Sequence, residues 1–236
     1  MAEQQTEIWM AEHSDASGRP PFRYASIHFP WGTGPQQTSR VTSSNKLQMM
    51  MLTGQLPLLI PVSMHITDVR DVARAHVHCL TDGRESGRYI VAPEPGRGIL
   101  TTAQMARYIQ EAIPEAPVPR FTMPQWVAWC LVKAGYDRNM DAYMYATMVH
   151  GPGPGYISNM AELGFHYLHT DPRKSVQDAA LSMKALGVME QQDAHGGSPG
   201  RLYAATAAVV AVVAVIATVR RLLWPGTSIK SKYKAS

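Results

Sequence analysis

The chain has 236 residues, room for one domain and a tail, and its apolar content of 45% is that of an ordinary globular protein. Its net charge of +4 comes from one end: Arg220, Arg221, Lys230, Lys232 and Lys234 follow residue 219 with no acid among them. Setting those five aside leaves 17 basic residues against 18 acidic. A body so nearly neutral gives a nucleic-acid reading no support, so no nucleic acid is expected as a partner.

Ala2 to His13 has helical composition with Ile8 and Trp9 as apolar anchors, and Ser14 to Pro21 breaks it with Ser, Asp, Gly and Pro. Phe22 to Phe29 alternates as a strand does, with Ala25, Ile27 and Phe29 on one side. Leu58 to Ile66 reads as an extended run leading to Asp68. Asp68 is placed to cap a helix, accepting from the backbone N–H of Asp71 or its neighbour, and both carboxylates suit the positive end of the helix dipole. Val69, Val72, Ala73, His76, Val77 and Leu80 then recur at helical spacing and predict the buried face. A strand-like entry, a sharp cap and an Ala-rich helix point to an α/β domain.

Further on, Asp82 to Ser86 is a polar turn and Gly87 to Ala92 a short β-run. Thr101 and Gln104 form a capping box, and Met105, Ile109, Ala112 and Ile113 line a helix that Pro114 ends. Pro117 to Pro124 is an extended loop. Trp126 to Ala134 is apolar nearly all round, fitting a buried segment or a substrate- or membrane-facing surface. Tyr143, Met144, Tyr145 and Met148 fit either core packing or an apolar pocket wall. Gly151 to Gly155 is glycine-rich but carries prolines where N–H donors would be needed, and reads as a loop. Lys174 to Leu186 is the last domain helix, closed by Gly187. Cys79 and Cys130 lie on apolar helical patterns and read as reduced thiols rather than a bridge.

This divides the chain into a domain over 1–189, a Gln-, Gly- and Ser-rich linker over 190–200, a transmembrane helix over 201–224 and a basic tail over 225–236. Leu202 to Val219 is 18 residues without a charge, about 27 Å as a helix and close to bilayer thickness. Arg220, Arg221 and Trp224 sit where interfacial anchors belong. No signal peptide is visible at Met1. The expectation is a single-pass C-terminal anchor in the ER or mitochondrial outer membrane with the domain in the cytosol. The basic tail opposes that orientation by the positive-inside rule.

Asp68-Val-Arg-Asp-Val-Ala-Arg-Ala-His76 resembles a signature of the extended short-chain dehydrogenase/reductase family, the NAD-dependent epimerase/dehydratase group, in its dihydroflavonol-reductase-like and aldehyde/ketone reductase branch. Phe29-Pro-Trp-Gly-Thr-Gly-Pro35 is similar to the family's strand end. Ser44 to Pro57 is similar to the helix and L-T-G-x-x-P turn that follow it. Gly87 to Ala92, the helix from Thr101 to Ile113 and Glu162-Leu-Gly-Phe165 keep the family's order. The resemblance covers roughly residues 2–189 and only the second half of the family's domain.

The resemblance implies the C-terminal half of an NAD(P)-binding Rossmann-type fold. It also implies hydride transfer between NADP or NAD and a small-molecule carbonyl or alcohol. In the family a tyrosine donates the proton, and a lysine four residues on lowers its pKa and holds the ribose. No lysine of this chain has a tyrosine four positions before it, and no Gly-x-x-Gly-x-x-Gly turn occurs. Ala2-Glu3 is similar to the pair that follows the family's lysine, so the chain is expected to be a truncated, inactive form with no catalytic residue of its own. Of the family's site it keeps the nicotinamide-side rim, Pro30, Trp31, Gly32 and Thr33, which read equally as a strand terminus needing a turn. Asp68 and Asp71 are assigned to capping.

No metal site is expected. His76 and His78 point to different sides of their helix, His166 and His169 lack a nearby third ligand, and neither His-Glu-x-x-His nor Cys-x-x-Cys occurs. Two readings of function remain: a membrane-anchored oxidoreductase represented by a partial chain, and a non-catalytic membrane-tethered interaction protein or pseudoenzyme.

Overall fold

A computed structural model describes residues 2–41, 44–81, 86–94, 96–128, 156–161, 164–166 and 168–190. The chain divides into units spanning 1–196 and 197–236, and the described residues all belong to the first. The predicted membrane span, the Tyr143–Met148 group and Cys130 lie outside them. Among the described residues no helix is long and apolar enough to cross a membrane.

Helix α1, Ala2–Glu12, leads into strand β1, Tyr24–His28, and strand β2, Trp31–Thr33. Helix α2, Asn45–Leu52, precedes β3, Ser63–Asp68, which runs directly into α3, Val69–Thr81. Then come β4, Ser86–Ile90, β5, Ile99–Thr101, α4, Thr102–Ala112, and α5, Pro172–Ala185. The strands form two small sheets, β1 parallel to β4, and β2-β3-β5 with β2 parallel and β5 antiparallel to β3. The architecture is α/β, as the sequence predicts.

The main core lies around β3. Met64 and Ile66 pack with Met51 and Leu52 of α2, Met105 and Ile109 of α4, and Val176 and Met183 of α5. A second cluster, Val72, Ala75, Tyr89, Val91 and Met160, joins α3 to the β1–β4 sheet, where Ala25 and Ile27 pack against it. The ends of the helices follow local chemistry. Thr101 and Gln104 bond reciprocally as a capping box. Asp171 accepts from Arg173 N at the head of α5, with Pro172 at its first position.

Three expectations about buried faces change. In α3 the buried residues are Asp71, Val72 and Ala75, while Val69, Ala73, His76, Val77 and Leu80 are exposed, Leu80 to 80%. The helix is rolled so that the Asp71 carboxylate enters the interior, which turns the predicted apolar stripe outward except at Val72. In α1 the buried side chain is Met10; Ile8 and Trp9 are exposed, and Trp9 stacks on His13 and Phe22 at the surface. Phe29 lies beyond β1 and is exposed. In the segment that the sequence left open between a buried and a surface-facing reading, Trp126 is exposed while Val127 and Ala128 are buried. Strand β5, three residues long, has no signal in the sequence and is held by its register against Ser63–His65.

Candidate functional site

The site is built where β2 and β3 end side by side, with Thr33 opposite Asp68. Asp68 is nearly fully buried and serves as the hub. Its Oδ1 accepts from Arg70 N at 2.8 Å, the N-terminal cap the sequence predicts, with Arg70 in place of Asp71 as donor. The Arg70 guanidinium binds both Asp68 oxygens, at 2.8 and 2.7 Å, and reaches Asp178 of α5 at 2.7 Å. Ser175, also on α5, donates to Asp68 Oδ2 at 2.5 Å. Burial pushes the Asp68 carboxyl up, but the Arg70 and Ser175 bonds together outweigh it and hold the group below its ordinary range. The bonds to Asp68 and Asp178 raise Arg70 against the effect of burial, so the pair stays charged.

Asp71 does not cap the helix. It turns inward and accepts from Thr170 N and Thr170 Oγ1 at 2.8 and 2.9 Å, with Arg74 Nη1 at 3.1 Å. His169 Nδ1 lies 3.8 Å from Asp71 Oδ2. Burial depresses the His169 pKa, against the pull of Asp71 and Glu94. This corner faces a cleft of about 340 Å³ lined by Glu94, Arg97, His169, Thr170 and Asp171 among others.

The rim residues Pro30, Trp31, Gly32 and Thr33 lie beside the hub, the last three forming β2, with Gly32 and Thr33 buried. Below them Thr33 Oγ1 donates to Asn45 Oδ1 at 2.8 Å and accepts from Gln48 Nε2. Trp31 Nε1 and Gln48 Oε1 are buried without hydrogen-bond partners among the described residues. The chain leaves the rim through Gly34, whose φ of +145° and whose closeness to Val69 Cγ2, 2.7 Å from where a Cβ would stand, require glycine. Gln36 N then bonds Ser182 Oγ of α5 at 2.7 Å.

Fit to a dinucleotide is incomplete. Among the described residues, four clefts of about 340 to 550 Å³ are lined by residues other than Pro30, Trp31, Gly32 and Thr33. No glycine-rich phosphate turn exists in the sequence. The described residues alone therefore do not supply a phosphate cradle for a dinucleotide. Among the described residues no three His, Cys, Asp or Glu side chains come together to hold a metal ion.

No family model matches the chain, and no curated protein matches it. Solved structures do. The gox2253 structure covers 80% of this chain and 55% of its own, with a TM-score of 0.53 at 18% identity. Gre2 of Candida albicans in complex with NADPH covers 78% and 49%, with a TM-score of 0.52 at 18% identity. Yeast methylglyoxal/isovaleraldehyde reductase Gre2, also complexed with NADPH, covers 78% and 53%, with a TM-score of 0.50 at 15% identity. The fold is that of an extended short-chain dehydrogenase/reductase. The chain spans about half the length of these structures. Nicotinamide cofactors accompany this extended reductase fold in the two NADPH complexes.

Arg70, Ser175 and Asp178 were not singled out in the sequence, because their meeting depends on α5 returning over a hundred residues later. The one local signal was the Asp68 cap. Thr170 likewise carries no motif, and the bonding of Thr33 to Asn45 and Gln48 joins two motifs that the sequence does not show to be in contact.

Proposed function

We propose that the chain is the C-terminal half of a nicotinamide-dependent oxidoreductase acting on a carbonyl or CH–OH group of a small molecule, tethered to a membrane by residues 202–219. The observation that supports this most is the β3–α3 junction, capped and charge-locked at Asp68 beside β2, within a fold shared with two NADPH complexes. On this reading Pro30, Trp31, Gly32 and Thr33 form the nicotinamide-side rim for NADP or NAD once a dinucleotide-binding half is in place. The chain's own contribution is to hold that rim rigid through Thr33 and Asp68.

Because the phosphate cradle and the Tyr-x-x-x-Lys pair are missing, the chain by itself is expected to bind NADPH poorly and to reduce nothing. An NADPH fluorescence titration and a panel of aldehydes and ketones test this, and turnover by the purified chain would overturn the inactive reading. In-frame sequence before Met1 tests the oxidoreductase reading itself, which expects a Tyr-x-x-x-Lys and a glycine-rich turn there. Carbonate extraction with protease protection of tagged termini tests the anchor and the cytosolic placement of the domain at the ER or mitochondrial outer membrane. Release into the supernatant refutes the first, and a protected N-terminus refutes the second.

The missing catalytic pair favours a second reading, a non-catalytic membrane-tethered interaction protein. Sequence before Met1 that lacks both motifs would select it.

A further inference from the structure

Past α4 the segment 114–124 carries Pro114, Pro117, Pro119 and Pro124, each of which fixes its own backbone angle. Tertiary bonds hold the segment down. Leu59 N donates to Phe121 O at 2.9 Å, Met123 N donates to Leu59 O at 2.8 Å, and Val127 N and Ala128 N both donate to Pro124 O, at 2.9 and 3.2 Å. Ala116, Val118 and Ala128 are buried in the main core, and Met123 packs against it. A backbone this firmly seated still presents Phe121 at 74% exposure and Trp126 at 51%, the two most exposed Phe, Trp or Tyr side chains among the described residues. The fixed backbone, rather than a frayed end, keeps both rings at the surface.

Between this segment and α4 lies a cleft of about 550 Å³ whose walls include Leu59, Ala106 and Val118 together with Arg107 and Arg120. Among the described residues no Asp or Glu lines it. The only acids between residues 102 and 128 are Glu111 and Glu115. Helix α5 already answers both, Arg173 with Glu111 at 2.9 Å and Lys184 with Glu115. Arg107 reaches the same Glu111 at 3.6 Å. With Arg120, four cations share two acids, and the face is positive. Exposed rings beside an excess of guanidinium suit the headgroup layer of an anionic bilayer, where aromatic side chains settle at headgroup level and basic ones meet the negative surface. A second copy of the same face would oppose Arg107 and Arg120 to their equals.

We propose that the 118–126 loop and the adjoining arginine cleft dock the domain on an anionic membrane surface. Phe121 and Trp126 enter the headgroup region, and Arg107 and Arg120 bind lipid phosphates. The site is separate from the span at 202–219 but rests on the anchor reading above for its reach. Residue 202 follows the last described residue, 190, by about a dozen positions, roughly 40 Å at full extension, so an anchored chain keeps this face close to lipid. The preference for anionic lipid comes from the face itself, through its two arginines.

The test uses the full chain carrying Cys79→Ser and Cys130→Ser, with a fluorophore attached at Phe121→Cys. The control label sits at Leu80→Cys, which replaces a side chain that is also apolar and is more exposed, at 80%. Vesicles are made of phosphatidylcholine alone or of phosphatidylcholine and phosphatidylserine in equal parts, and both carry lipid with a nitroxide on its acyl chain. In the mixed vesicles the nitroxide quenches residue 121 severalfold more than residue 80. Arg107→Gln with Arg120→Gln shifts the docked-to-free ratio about thirtyfold toward free, while circular dichroism stays that of the parent. Quenching at residue 121 no greater than at residue 80, or equal in the two vesicle types, overturns the proposal. A residue 121 shielded from both the nitroxide and aqueous iodide is covered by protein, a second copy included, and overturns it too. Carbonate extraction of the same vesicles reads the anchor separately. Extractable chain whose residue 121 was quenched refutes the span and leaves the docking face standing, and retained chain with residue 121 unquenched does the reverse.

Discussion

Thr170 holds the buried Asp71 carboxylate twice, by its amide at 2.8 Å and by its hydroxyl at 2.9 Å, across 99 residues of sequence. This clamp fixes the segment before α5 to the first turn of α3. Arg70 and Ser175 do the same for α5 itself through Asp68. The C-terminal helix is thus locked to the β3–α3 junction by charge-assisted bonds, and the rim at Thr33 is held from behind.

Removing the Asp71 clamp should therefore loosen α5. Asp71→Ala leaves the Thr170 amide and hydroxyl without an acceptor and should cost about 2–4 kcal/mol, whereas Thr170→Val, which loses only the hydroxyl bond, should cost about 1 kcal/mol. Urea denaturation followed by circular dichroism measures both. Equal costs for the two would show that the amide bond contributes nothing.

The Asp68 hub predicts a comparable loss. Asp68→Asn keeps the shape but removes the charge that answers Arg70, and should destabilise by about 2–3 kcal/mol after allowing for the partial exposure of Arg70. Arg70→Lys should recover little of the bidentate geometry. A change within about 0.5 kcal/mol for Asp68→Asn, read from the same unfolding curves, would contradict the hub.

What could be read from the sequence was what local chemistry decides. The Asp68 cap, the Thr101–Gln104 capping box and the stop at Gly187, whose φ is +71°, each depend on neighbours within a few positions. The buried face of α3 was misjudged because Val77 and Leu80 look like core residues, and nothing nearby says that Asp71 is needed inside to bind Thr170. The hub was invisible for the same reason: Asp178 lies 108 residues after Arg70. Strand β5 is too short for periodicity to register, and its pairing with β3 is fixed by tertiary packing.

Gly34 is where the rim tolerates least change. Gly34→Ala would set a Cβ 2.7 Å from Val69 Cγ2 at a φ that side chains rarely adopt, at a cost of about 1–3 kcal/mol. The nearest change with room to spare is Gly18→Ala, where nothing lies within 4 Å although φ is +77°. Thermal melts of the two variants should separate, with Gly34→Ala the lower. A Gly34→Ala protein as stable as Gly18→Ala would show that the turn relaxes freely.

The last prediction concerns acid. His65, on β3, is 6% exposed and packs edge-on against Tyr156 at 5.3 Å between ring centres. Burial depresses its pKa, and burial also depresses that of His169. Both are therefore neutral in the fold under conditions where the unfolded chain has begun to take up protons. Their contribution to stability is fully present above the ordinary histidine pKa of about 6.5 and declines as pH falls below it. Asp68, held below its ordinary value, acts in a separate and lower window, its contribution being present above about 3.8 and lost as pH falls further. Urea midpoints recorded from pH 8 down to about 5 should stay level and then drop below about 6.5. His65→Phe, which removes one of the two groups while keeping an aromatic ring against Tyr156, should make that drop shallower. A midpoint that rises on acidification through this range, or an unchanged slope in His65→Phe, would show that His65 does not stay neutral in the folded chain.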